Sequence, residues 1–144
     1  MKQRENRMKA VKVLIVDDFP QVREELDTIL SLAGDIEVVG EASDGTEAIQ
    51  QAEALKPDVV LMDLEMPVMD GYEATRKIKK DFPTCWVIAL TVHGGGTERE
   101  KATAAGFDDF VVKGAPLDRL VQAILKATLV EKFSEEVRNE EDFN

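Results

Sequence analysis

The chain reads as an α/β domain, a doubly wound parallel sheet of five strands with helices on both faces. Three observations carry that reading. Strand-like and helix-like segments alternate five times along the 144 residues. The connections between them are short. The strand segments, such as Val11–Val16 and Val59–Met62, are nearly unbroken apolar runs, as strands covered on both faces require. Units of this kind join through right-handed crossovers and give a mainly parallel sheet.

The first strand is expected over about 11–16, running into Asp17-Asp18. A helix follows over about 20–32, where Val22, Leu26, Ile29 and Leu30 recur at helical spacing and Gly34 comes just after. The second strand covers about 36–42; Asp44-Gly45 then turns into a helix over about 46–55, which Lys56-Pro57 stops. The third strand, about 58–62, delivers Asp63 and precedes a helix over about 72–80. The fourth strand spans about 86–90 and its helix about 97–105. After the fifth strand, about 109–112, Pro116 suits the first turn of a last helix over about 116–128. Leu117, Leu120, Val121, Ile124 and Leu125 form its apolar stripe, which runs on through Leu129, Phe133 and Val137. We therefore place the domain at 11–128, with an N-terminal extension over 1–10 and an acidic tail or linker over 129–144.

Composition bounds the function. Hydrophobic residues make up 44% and charged residues 33%, the balance of a soluble globular domain with one core. The formal net charge of −11 opposes direct binding to nucleic acid or an anionic membrane. No apolar run approaches the about 20 residues of a membrane span, and the charged N-terminus has no apolar segment of a secretory signal behind it. A single cysteine, Cys85, cannot form an internal disulfide and suits a reducing cytoplasm.

Three carboxylates stand at strand ends: Asp17 and Asp18 after the first strand, Asp63 after the third. In an open α/β sheet that edge binds ligands. Carboxylates brought close repel one another, so the set makes chemical sense around a hard divalent cation. The ordinary use of Asp17 and Asp18 is to cap the helix that starts near Phe19-Pro20. Thr91 and Lys113 end the fourth and fifth strands at the same edge, a neutral and a charged donor suited to a phosphoryl group. Taken singly, Thr91 reads as a helix cap and Lys113 as a solvated loop lysine.

With these residues in view, the sequence resembles the receiver domain of two-component response regulators, from about Lys12 to Lys126. The resemblance implies a flavodoxin-like fold with strand order 2-1-3-4-5. It implies that Asp63 accepts a phosphoryl group and that Asp17 and Asp18, with Asp63 and the backbone carbonyl of Glu65, hold Mg2+. It makes Thr91 the switch hydroxyl, Phe110 the switch aromatic and Lys113 the lysine that meets the phosphoryl group. A sensor histidine kinase or phosphotransfer protein is the implied donor. The domain would catalyse only its own phosphorylation and dephosphorylation, a signalling role rather than turnover of an external substrate. The segments Ile36–Gly45 and Lys113-Gly114-Ala115-Pro116 resemble the NarL/FixJ subfamily, whose receivers usually precede a LuxR-type helix-turn-helix. Only a short acidic tail follows residue 128, so transcriptional output would run through a DNA-binding domain outside this chain. A stand-alone receiver acting by protein–protein contact is the alternative. Separately, the apolar stripe that continues past Thr128 points to a homodimer through the last helix, against the plainer reading of an acidic tail or linker. A phosphorylation-independent pseudo-receiver is a weaker one, because all the acids and the lysine are retained. A flavin binder would need a phosphate cradle where Asp17-Asp18 stands, and a haloacid-dehalogenase-type phosphatase an Asp where Glu65 stands.

Some positions depart from the common receiver pattern. Gly114 rather than Pro follows Lys113, so no cis-proline is expected there. Val92 takes the place of a frequent Ala and narrows the approach to the site. Gly94-Gly95-Gly96 frees the backbone of the fourth strand–helix loop. His93, the only histidine, reads most simply as a solvent-exposed loop residue beside the site. Trp86 is expected to pack on a helix, and Cys85 has no partner that would give it a chemical role.

Overall fold

The computed structural model describes residues 9–142, with side chains through Leu129. Five strands alternate with five helices: β1 (Val11–Val16), α1 (Pro20–Ser31), β2 (Ile36–Ala42), α2 (Gly45–Leu55), β3 (Val59–Asp63), α3 (Gly71–Asp81), β4 (Trp86–Thr91), α4 (Gly96–Ala105), β5 (Asp109–Val112) and α5 (Leu117–Asp142). All strand pairs are parallel, in the order β2-β1-β3-β4-β5. The order reverses between β1 and β3, so their outgoing loops part to opposite faces and leave a crevice at the C-terminal edge.

Alternate strand residues face two cores. Val13, Ile15, Val59, Leu61, Ile88 and Val111 pack with Leu30 of α1 and Leu120 and Ile124 of α5. On the other face Leu14, Val60, Met62 and Val87 pack with Ala48 and Ala52 of α2 and Ala74 and Ile78 of α3. Every residue of β3 is buried, the sheet's central position explaining its unbroken apolar run. Trp86 packs on the α1/α5 face, as expected. Leu117 and Ile29 of the predicted stripes stay at the rim, 48% and 37% exposed.

Local chemistry starts the helices that frame the crevice. The Asp44 carboxylate caps α2 by accepting from the Glu47 N–H, and Asp70 caps α3 by accepting from the Glu73 N–H, both at 2.9 Å. A Cβ on Gly71 would overlap the carbonyl oxygen of Asp63, so only glycine lets α3 start directly against the end of β3. Gly45 plays the same part in α2, where a Cβ would lie 2.6 Å from the Met69 carbonyl.

Element ends differ from expectation in three places that matter. β3 and β4 each run one residue further, so Asp63 and Thr91 close their strands rather than follow them. The last helix continues to Asp142, so most of the assigned tail is helical backbone. The N-terminal extension through Met8, the last two residues, and the side chains of Phe133 and Val137 lie outside the described residues. Among the described residues no helix is long and apolar enough to cross a membrane.

Candidate functional site

Asp17 leaves β1 only 1% exposed and with every polar group engaged. Its N–H donates to the Ala42 carbonyl at 3.1 Å. Oδ1 accepts from the Phe19 N–H at 2.9 Å and Oδ2 from the Lys113 ammonium at 2.7 Å. Its carbonyl accepts from Arg23 Nη1 at 2.6 Å. Neither aspartate caps α1: the N-cap position is Phe19, without a side-chain bond, and Pro20 begins the helix. The capping use of this pair is thereby corrected.

Asp18 differs from its neighbour. Its Oδ1 is buried and has no hydrogen-bond partner. Asp17, Asp18 and Asp63 each offer a carboxylate oxygen within 4.8 Å of the others. Burial raises the Asp63 carboxyl to a pKa of about 6; Lys113 opposes that rise, Asp17 and Asp18 add to it, and the Glu65 backbone amide lowers it. An orphaned carboxylate oxygen amid three converging acids fits a hard divalent cation taking oxygen ligands. Glu65 is itself exposed, and only its backbone bears on Asp63.

The lysine and threonine arrive from the two strands on the other side. Lys113 Nζ lies 3.6 Å from Asp63 Oδ1 besides its bond to Asp17. Its backbone N–H donates to the Thr91 carbonyl at 2.6 Å, which holds the two residues side by side. Thr91 is 4% exposed, and Leu90 before it is the register partner of Asp63. The Thr91 hydroxyl accepts from the His93 N–H at 3.3 Å, while α4 is capped at Gly95, so Thr91 is no helix cap. Phe110 is buried among Leu64, Ala89 and Ala102.

Two arginines belong to this neighbourhood that sequence reasoning missed. The Arg99 guanidinium lies 4.7 Å above the Phe110 ring, a cation–π contact between α4 and β5. Arg23 bonds Glu41 Oε1 through Nε at 3.0 Å as well as Asp17. Their partners lie on other elements, and no spacing rule links them. Among the glycines, backbone conformation and space are needed at different places. Gly106 and Gly114 are the glycines with positive φ, at 101° and 92°. A Cβ on Gly94 would instead meet Val112 Cγ2 at 2.7 Å, so Gly94 supplies room rather than an unusual conformation. His93 is exposed, and Val92 is 62% exposed. Cys85 is buried, with its thiol pushed up to about 11 by that burial.

A doubly wound sheet with an acid-lined crevice at its switch point and a lysine set against it is the arrangement that the resemblance implies for a signalling domain of two-component type. The sequence agrees: it matches the response regulator receiver domain over residues 13–125, and the chain belongs to that family. It is 44% identical to the response regulator protein VraR of Staphylococcus aureus over 125 residues, 87% of this chain and 60% of that protein. The response regulator domain of Thermotoga maritima CheB superposes with a TM-score of 0.77 at 36% identity, covering 82% of this chain and 96% of that one. The signal receiver domain of the response regulator NarL from Mycobacterium tuberculosis gives 0.78 at 33%, covering 83% and 98%. The chain spans 56–60% of the length of the curated relatives it matches.

Proposed function

We propose that this receiver takes a phosphoryl group on Asp63 from the phosphohistidine of a sensor histidine kinase or phosphotransfer protein. A carboxylate oxygen of Asp63 attacks phosphorus, the P–N bond to the donor imidazole breaks, and its electron pair stays on the imidazole. The product is an acyl phosphate. The observation that carries this reading is the convergence of Asp17, Asp18 and Asp63 within 4.8 Å with Lys113 Nζ 3.6 Å from Asp63.

Asp17, Asp18, Asp63 and the Glu65 backbone carbonyl would hold Mg2+, which when bound neutralises charge on the phosphoryl oxygens. The Lys113 ammonium adds a second positive charge, and the Thr91 hydroxyl a neutral donor. Phosphorylation brings about −1.5 to −2 charge into the crevice. Thr91 then turns toward the new oxygens and Phe110 follows into the space it leaves, altering the face of α4, β5 and α5. Output is transcriptional in this reading, through a LuxR-type DNA-binding domain beyond this chain, and the compartment is the cytoplasm. The kinship with VraR and NarL supports it. A homodimer through α5 is supported by its continuation to Asp142 and by Leu129, which is 67% exposed.

The test is intact mass after incubation with acetyl phosphate and Mg2+. One phosphate should add to the wild type and none to Asp63→Asn. A phosphate on the Asn variant overturns the assignment.

A further inference from the structure

We infer that Arg23 is a positioning residue for the acidic pair: its guanidinium holds the Asp17–Asp18 peptide in the register in which the three carboxylates converge. The inference rests on the reading of that cluster as a divalent cation site. Arg23 lies in the first turn of α1, with a side chain only 17% exposed. It reaches back over the turn that carries both aspartates. Nη1 donates to the Asp17 carbonyl at 2.6 Å, and Nε donates to Glu41 Oε1 at 3.0 Å. Glu41 lies near the end of β2 and is paired in register with Ile15. One planar group therefore ties the start of α1 and the end of β2 to the peptide between the two acids.

Fixing that carbonyl matters because the carboxylates around it are strained by charge. Asp17 is already committed through both side-chain oxygens, to Phe19 and Lys113. Asp18 Oδ1 is buried without a partner. With Oδ1 unpaired, Asp18 is held against repulsion from Asp17 and Asp63 through the backbone on either side of it, tied at the Asp17 carbonyl by Arg23 and at Phe19 by the first turn of α1. A guanidinium can serve two acceptors in one plane; an ammonium cannot reproduce the fork. Groups that orient ligands from behind are typically worth about 10–100-fold in metal affinity.

Charge and position make opposite predictions here, which makes the inference testable. Removing a cation near a metal site strengthens cation binding if only the field matters. Loss of the fork weakens it. With the full chain and Mn2+ as the probe, followed by the paramagnetic resonance of the free ion, Arg23→Gln should weaken binding about tenfold. The phosphorylation rate from acetyl phosphate at saturating Mg2+ should fall much less than the affinity does. Unchanged or tighter Mn2+ binding by Arg23→Gln overturns the inference. Should that variant not fold, Arg23→Lys keeps the charge and loses the fork; about threefold weaker binding is expected, and wild-type affinity overturns the inference. Wild-type protein that neither binds Mn2+ nor gains a phosphate removes the cation-site reading itself. Wild-type protein that does both, with variants that match it, removes only the role of Arg23.

Discussion

The Lys113 ammonium donates to Asp17 Oδ2 at 2.7 Å across 96 residues of chain. Because it also stands 3.6 Å from Asp63, one cation is shared by two of the three acids. The pair with Asp17 is nearly dry on the acid side, since that carboxylate is 1% exposed while the lysine is 21% exposed. Breaking it leaves a buried charge uncompensated, which costs more than the pair itself contributes.

Lys113→Met should therefore lower the stability of the metal-free protein by about 2–4 kcal/mol. It should also raise the Asp63 pKa further, because Lys113 is the main influence lowering it. Urea denaturation with and without Mg2+ checks this: the ion should restore part of the loss. No recovery would speak against a cation among Asp17, Asp18 and Asp63.

The Asp63 carboxyl is raised by burial to about 6, against an ordinary value of 3.8. The folded state thus binds more protons than the unfolded state between those values. The stability this group contributes is full below about 4 and is lost as pH rises through about 6. Asp63→Asn removes that slope, and should stabilise the metal-free protein at neutral pH by about 1–3 kcal/mol. Comparing urea midpoints of the two proteins from pH 4 to 8 isolates the effect from the other acids. Parallel curves would show that Asp63 is not perturbed.

Gly71 starts α3 against the backbone of Asp63, where a Cβ would overlap the carbonyl oxygen. Gly71→Ala forces the helix start away from β3, and the expected loss is about 1–3 kcal/mol. The displaced peptide belongs to Asp63, the proposed acceptor, so phosphorylation from acetyl phosphate should fall with stability. Gly34→Ala, where nothing lies within 4 Å of the added carbon, is the control and should be near neutral.

Cys85 lies at the opposite edge of the sheet, buried and held as the thiol with a pKa of about 11. Its alkylation by iodoacetamide at pH 8 should run about 100-fold slower than that of an ordinary cysteine. Denaturant should restore the full rate. Fast labelling of the folded protein would contradict the burial described.

The sequence alone determined the architecture and the place of the site. Apolar runs of about five residues, alternating with segments of helical period, leave a parallel sheet as the economical solution. Parallel strands bring all their C-terminal ends to one edge, so Asp17, Asp18, Asp63, Thr91 and Lys113 share that edge; which strand ends are neighbours was implied by the resemblance to receivers and is given by the sheet order. Glycine and aspartate turn chemistry was legible at Asp44-Gly45, where a carboxylate caps the next helix. The tertiary structure alone decided which oxygen pairs with which cation. Periodicity says which face a residue occupies, but a hydrogen bond depends on how two elements distant in sequence are packed. Hence the bonds of Arg23 to Glu41 and Asp17, and the seat of Arg99 over Phe110, left no trace in spacing. The same holds for Gly71, whose need for no side chain arises from a backbone eight residues earlier that returns beside it only when the loop closes.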